Sequence, residues 1–172
     1  MFKLAGIILL MTGCIGLGIN KVLEEKKRIW ALREIKKMIL RIQSEMIYGK
    51  RTLPEICLLF SQCMEEPYRS AFDEIFHKME ENDGSILENI WKEKLEECME
   101  TIPLKADEKA VLTSLPKHLG ILDETTQAQS MGESLDIIAE RINRAESEYE
   151  SKSRVVMSIS VMTGLFLVIL LL

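Results

Sequence analysis

Two histidines and four cysteines are the side chains with the most chemical potential in this chain. His77 and His118 lie far apart, and neither has a second histidine or a cysteine at the spacing of a zinc site. No C-x-x-C pair occurs among the cysteines, which favours free thiols in a reducing compartment over a disulfide framework. The cysteines are Cys14, Cys57, Cys63 and Cys98. We therefore predict neither a metal centre nor a bound cofactor.

Carboxylates are abundant, with clusters at Glu65–Glu66, Glu80–Asp83 and Glu96–Glu97. Paired carboxylates can bind a divalent cation or act in hydrolysis, but these clusters lack the ligand order of a calcium loop. Such runs are most often solvated helix faces. The sequence also lacks the phosphate-binding loops, the zinc-protease motif and the nucleophile elbow. We predict a protein that is not an enzyme, with a membrane-bound hydrolase as the least favoured alternative.

The elements that carry these residues are predicted to be helices. Helix-forming residues dominate the middle of the chain, and no alternating β-branched run indicates a strand. Five glycine or proline turns divide it, which implies an all-α bundle of about six helices. The turns fall at Gly49–Pro54, Pro67, Asp83–Gly84, Pro103 and Pro116–Gly120.

Several residues are predicted to begin helices. Thr52 and Ser85 each precede a glutamate at the third helical position, the pattern of a capping box. Asp107 and Asp123 are expected N-caps of the fifth and sixth helices. Trp30 is expected to pack inside the bundle.

Apolar stripes mark the first and last helices of the bundle. The first stripe is Leu32, Ile35, Ile39, Ile42 and Met46; the last is Ala128, Met131, Leu135, Ile138, Ile142, Ala145 and Tyr149. A heptad of this length serves equally in a bundle core or in a coiled coil between two copies. We favour the core. The coiled coil would make the protein a membrane-anchored homo-oligomeric scaffold or signalling protein unrelated to secretion.

Both ends of the chain are apolar and nearly free of charge. Residues 1–20 and 155–172 each approach the length that crosses a bilayer, so we predict two transmembrane helices around a cytosolic bundle at residues 21–154. Basic residues cluster just inside both ends, which keeps the middle in the cytosol and both termini on the far side. A cleaved signal peptide is disfavoured because no A-x-A pattern follows the first apolar run. A lipobox at Cys14 would require export against the charge bias.

Small residues in the two predicted spans permit close helix packing. Pairs four residues apart occur at Thr12 and Gly16, at Cys14 and Gly18, and at Ser160 and Gly164. They could join the two spans of one chain or join neighbouring subunits of a homo-oligomer.

Charge is distributed unevenly along the middle of the chain. Residues 21–41 hold eight basic and three acidic side chains, a balance of +5, whereas residues 42–154 hold thirteen basic and twenty-four acidic, a balance of −11. The basic part suits the anionic inner leaflet. The acidic part argues against nucleic acid and favours a basic protein partner.

Taken together, these features resemble the stage III sporulation protein AB family of endospore-forming bacteria. The resemblance lies in an apolar start that runs into the helix Leu32–Tyr48, the turn with Leu53-Pro54-Glu55, the segment Leu119–Asp123 with Gln127, and the apolar C-terminus. It covers essentially the whole chain.

The resemblance implies a function that the residues alone do not indicate. It implies a helical domain similar to that of the type II secretion inner-membrane platform protein F, within a multiprotein channel between mother cell and forespore. A platform of this kind would dock a cytosolic secretion-type ATPase and other channel components. Gly120, Asp123 and Gln127 are the predicted partner-binding residues, although Gly120 and Asp123 equally suit a turn and a helix cap.

Overall fold

The structure, a computed structural model, describes residues 2–81, 86–119 and 124–171 and is all-α over those residues. Six of the helices in these residues have eight or more residues, and a seventh has four. The helices are α1 (Phe2–Ile47), α2 (Leu53–Cys63), α3 (Tyr68–Glu81), α4 (Leu87–Cys98), α5 (Ala106–Thr113), α6 (Pro116–Leu119) and α7 (Glu124–Leu171). The predicted all-α class is confirmed.

The chain divides into two compact units. Residues 1–30 and 143–172 form the terminal unit, and residues 31–142 form the central unit. Both long helices contribute to both units, and α1 continues without a break past residue 20, as the absence of a helix breaker there predicts. The domain boundaries predicted near residues 20 and 154 stay a prediction.

Neither of the two predicted transmembrane helices is supported by the structure. Within residues 2–81, 86–119 and 124–171, no helix is both long enough and apolar enough to cross a membrane.

A chain of three aromatic rings occupies the core of the central unit. Phe60 of α2 meets Phe72 of α3 edge to face, with ring centroids 4.9 Å apart, and Phe72 meets Trp91 of α4 at 5.5 Å. All three side chains are fully buried. Edge-to-face pairs add about 0.5–1.5 kcal/mol each beyond the area they bury. These rings therefore fix the mutual positions of α2, α3 and α4.

Most of the predicted apolar stripes lie in the interior. Leu32, Ile35, Ile39 and Ile42 of α1 are completely buried. Four members of the α7 heptad are also buried within the single chain, namely Met131, Ile138, Ile142 and Ala145. The intramolecular interpretation of this heptad is confirmed, so the stripe is not available as a coiled-coil surface.

The turn after α1 depends on a glycine. A side chain at Gly49 would place its Cβ 2.7 Å from the carbonyl oxygen of Glu45, and the next residue, Lys50, has a left-handed φ of 52°. The capping box at the start of α2 forms as predicted: the Thr52 amide donates to Glu55 Oε2 at 2.8 Å. This bond lowers the pKa of the Glu55 carboxyl.

Two positional predictions are wrong. Helix α5 begins at Ala106 with Lys105 as its N-cap, because the Lys105 amide donates to the carboxylate of Glu108 at 2.9 Å. Asp107 lies in the first turn instead and pairs with Arg141 at 2.7 Å. Trp30 is 46% exposed rather than buried in the bundle. The predicted N-caps Ser85 and Asp123 lie outside the described residues.

Candidate docking groove

A groove in the central unit lies between α4 on one side and α5 and α6 on the other. Its volume is about 460 Å³. Three charged residues one turn apart line the groove from α4, and a fourth follows in the turn after that helix. The opposite side carries small residues and two lysines. The lining residues are Glu88, Lys92, Glu96, Glu100, Ala106, Lys109, Ala110, Thr113, Ser114 and Lys117.

The groove is held open by buried side chains behind it. Trp91 lies next to Lys92 on α4 but points into the core, where its indole Nε1 donates to the carbonyl oxygen of Leu112 on α5 at 2.9 Å. The bond pairs a buried indole N–H that water does not reach, so losing the acceptor would leave this donor unsatisfied; the Leu112 carbonyl also accepts from the backbone amide of Leu115 at 3.4 Å. The indole bond ties the two walls of the groove together at a fixed separation.

The groove is lined by three acidic and three basic side chains. Lys117 pairs with Glu88 at 3.2 Å across one end, and Lys92 approaches Glu96 at 4.0 Å along α4. Both lysines and both glutamates are substantially exposed, so each pair is worth no more than about 1 kcal/mol. A partner with complementary charges can therefore exchange these pairs for its own at small cost.

In the described part of the chain, no group of three or more metal-ligating side chains occurs. Burial raises the pKa of the Cys57 thiol to about 12 and is the main cause of the same rise at Cys98. Both thiols are therefore protonated at neutral pH and are poor nucleophiles.

The predicted partner residues fall at the edge of the described chain. Gly120 and Asp123 lie outside it. Gln127 is half-buried, and its side-chain Nε2 donates to the carbonyl oxygen of Leu119 at 3.1 Å. The amide of Gln127 thus links α7 to the end of α6, and a role for these three residues in partner binding stays a prediction.

The small residues of the terminal unit have different environments. Gly18 of α1 is buried against α7, where an added Cβ would lie 2.5 Å from Ser160 Oγ. Gly164 is also buried, whereas Thr12 and Gly16 are exposed. Gly18 and Ser160 therefore join two helices of the same chain, which is one of the two arrangements the sequence allows.

An ion network that the sequence did not indicate lies between α1 and α7 in the terminal unit. Arg28, only 4% exposed, contacts Glu25 and Glu148 at 3.2 Å each. Lys152 contacts the same two carboxylates at 3.4 Å each, and Glu25 and Glu148 raise the pKa of Lys152. In sequence Arg28 is one of several basic residues after an apolar run. Only its burial distinguishes it.

Over the described residues the fold is all-α, with a charged groove between α4 and α5–α6. A family model described as stage III sporulation protein AB matches residues 3–172. The chain therefore belongs to the stage III sporulation protein AB family, a family of sporulation proteins.

Two comparisons with individual proteins agree with this assignment. Stage III sporulation protein AB of Bacillus subtilis (strain 168) is 22% identical over 173 residues, which cover 99% of each protein. A solved structure of stage III sporulation protein AB has a TM-score of 0.63 at 20% identity, covering 72% of this chain and 96% of that one. At this identity the structural likeness shows the fold.

Proposed function

We propose that this protein is a non-enzymatic platform component of a secretion-like channel complex between mother cell and forespore. Its central unit docks a cytosolic secretion-type ATPase through the groove between α4 and α5–α6. Its two ends anchor it in the mother-cell membrane that faces the forespore, with the central unit in the cytosol and both termini on the far side. Family membership supports the sporulation role, and the groove is the observation that carries the docking role.

Exposed apolar side chains support the membrane placement. Five residues of α7 recur at spacings of four and three residues, so they share one helix face, and each is more than half exposed. They are Val155, Ile159, Met162, Phe166 and Ile169. An apolar face of this kind is stabilised by transfer out of water at about 25 cal/mol per Å². Residues 155–172 contain no charged side chain, which lowers the cost of placing them in hydrocarbon.

The groove suits a protein partner better than a small molecule. Its walls present six exposed or half-exposed charges over a floor of small side chains, whereas pockets for small molecules are mostly apolar. The balance of −11 over residues 42–154 favours a basic surface on the partner. Opposite charges across such an interface mainly accelerate association and select the partner.

Binding of the ATPase to the full-length protein in nanodiscs tests this proposal. We expect the purified secretion-type ATPase to bind at low salt and to bind more weakly at high salt, because exposed charges are screened. The variant Glu96→Lys should weaken binding about ten-fold, because it places like charges across the interface.

Glu93→Lys is the matched control for this experiment. Glu93 lies on the same helix and is exposed, but it does not line the groove. Both variants change the net charge by the same amount, so a loss confined to Glu96→Lys would identify the groove. Equal losses in the two variants, or no binding by the unaltered protein at either salt concentration, would contradict the proposal.

A further inference from the structure

We propose that the terminal unit binds one acidic phospholipid in a second groove between α1 and α7, with the lipid phosphate at Lys26 and Arg154. This inference rests on the membrane placement proposed above and adds a defined ligand site to it. The groove has a volume of about 420 Å³, and both helices contribute to it equally.

The charged residues of this groove are cations only. Lys26 and Arg154 line it, together with the polar side chains of Tyr149 and Ser153, and no carboxylate does. Over the described residues, neither cation has a carboxylate within ion-pair distance. The Nζ atom of Lys26 lies over the face of the Tyr149 ring, 5.8 Å from the ring centroid. Two exposed cations with this lining suit the single negative charge of a phosphate diester.

A second cavity of the same helix pair, which shares Val22, Tyr149 and Ser153 with this groove, contains a cation that is paired with carboxylates. There Lys152 lies between Glu25 and Glu148, at 3.4 Å from each. This second cavity, of about 150 Å³, is lined by Glu25 as well as by lysines. Lys152 is therefore neutralised by carboxylates of the same chain, whereas Lys26 and Arg154 remain available for an anion from outside.

The apolar part of the groove lies on the side where a lipid tail would run. Contacts of Gly18 with Ser160 and of Glu25 with Lys152 show that α1 and α7 are antiparallel here. By the register of these two contacts, Ile19 and Met157 are nearest to the Gly18 end of this pair, Val22, Leu23 and Arg154 come next, and Lys26 and Tyr149 are farthest from it. The apolar lining is Ile19, Val22, Leu23 and Met157.

The apolar lining of this groove favours a lipid over a free inorganic anion as its ligand. Ile19 and Leu23 are nearly half exposed, and so is Met157. An acyl chain would cover these side chains, but inorganic phosphate would leave them in water. Lys26 lies at the end of the groove away from the apolar ends of the chain, as the headgroup of a phospholipid would, and Arg154 lies level with Leu23 beside the apolar lining.

Native mass spectrometry of the full chain released from nanodiscs tests the site. The nanodiscs contain phosphatidylcholine with a minor share of phosphatidylglycerol, both with the same acyl chains. We expect one phosphatidylglycerol to be retained in preference to phosphatidylcholine. Lys26→Gln and Arg154→Gln should each reduce this preference about five-fold, since one juxtamembrane cation contributes about that factor. Lys26→Arg should preserve it.

Lys27→Gln is the matched control. Lys27 is the next residue along α1, is exposed, and does not line the groove. An equal loss of preference in Lys26→Gln and Lys27→Gln would overturn the proposed site, because it would mean that only diffuse surface charge attracts the lipid. Displacement of the retained lipid by inorganic phosphate at millimolar concentration would also overturn it, because the ligand would then be a free anion.

Vesicle flotation separates failure of the site from failure of the membrane placement. Full-length protein that floats with neutral and acidic vesicles but shows no lipid preference would overturn the site alone. Protein that floats with neither kind of vesicle would overturn both proposals.

Discussion

At the scale of single residues, the two tryptophans of the chain have opposite roles. Trp91 is completely buried in the aromatic core and bonded to Leu112, whereas Trp30 is nearly half exposed. Sequence pattern suggested that Trp30 packs inside the bundle. That expectation rests on the distance of Trp30 from the predicted first span, about 15 Å at 1.5 Å per residue, which is too far for an interfacial belt. The buried stripe of α1 is filled by aliphatic residues instead, and Trp30 lies off its centre.

Replacement of the two tryptophans by phenylalanine should separate these roles. Trp91→Phe removes a buried hydrogen bond to the Leu112 carbonyl and part of a fully buried ring, so we expect the free energy of unfolding to fall by about 1–3 kcal/mol. Trp30→Phe should change it by less than about 0.5 kcal/mol. Urea denaturation followed by circular dichroism measures both values, and equal effects would contradict the assigned core.

The three described cysteines differ in reactivity. Cys63 is exposed, whereas burial raises the pKa of Cys57 and of Cys98 to about 12. We expect a maleimide at pH 7.5 to modify Cys63 within minutes and the other two only after unfolding, as measured by mass spectrometry of peptides. The variant Cys63→Ser, made together with Cys14→Ser, should remove the rapid reaction. Rapid modification of Cys57 in the folded protein would contradict its burial.

The same raised pKa values give a direction to the pH dependence of stability. In the unfolded chain a cysteine ionises near pH 8.5, but Cys57 and Cys98 in the folded chain hold their protons to about pH 12. The folded state therefore binds more protons than the unfolded state between these values. Their contribution to stability is complete below about pH 8.5 and is lost as pH rises toward 12. Chemical denaturation at pH 8 and pH 10 should show the lower midpoint at pH 10, and the difference should shrink in a Cys57→Ala variant.

At the scale of elements, the packing of α1 on α7 in the terminal unit depends on Gly18. A methyl group added there would lie 2.5 Å from Ser160 Oγ, which rotation of the serine side chain can move away, and 3.2 Å from Ser160 Cβ, which that rotation cannot move. Gly16 has no atom within 4 Å of an added Cβ.

Alanine substitution at these two glycines should have effects of opposite sign. Gly18→Ala should destabilise the protein by about 1–3 kcal/mol through overpacking, whereas Gly16→Ala should stabilise it by up to about 1 kcal/mol through helix propensity. Thermal unfolding of the full chain in detergent measures both. Adding Ser160→Gly to Gly18→Ala should recover most of the loss; a double variant no more stable than the single one would contradict the contact.

Sequence predicted the elements of this fold better than it predicted the site. Apolar stripes repeat at helical spacing, and proline and glycine interrupt them, so the helices and much of the core follow from local rules. The docking groove depends instead on the alignment of α4 with α5 across the Trp91 bond, and the second groove on the pairing of α1 with α7. Both bring together residues distant in the chain. Lys26 and Lys27 show why the sequence alone does not identify this groove. They are equivalent in the sequence pattern and differ only in the side of α1 that they occupy.

At the scale of the whole molecule, this member of a sporulation family has an uneven charge distribution. Residues 21–41 carry a balance of +5 and residues 42–154 a balance of −11, which suits an anionic membrane surface at one part and a basic protein partner at the other. We propose from this distribution that the central unit lies in the cytosol and that both termini lie on the far side of the membrane.

Cysteine labelling in intact cells tests this placement most directly. The variant carries Cys14→Ser and one cysteine appended after Leu172, and it keeps Cys63, which is exposed in the central unit. A membrane-impermeant maleimide added to intact vegetative cells that express this variant, in which the far side of the membrane is the cell exterior, should label the appended cysteine at once and Cys63 only after permeabilisation. Labelling of Cys63 in intact cells would contradict the account.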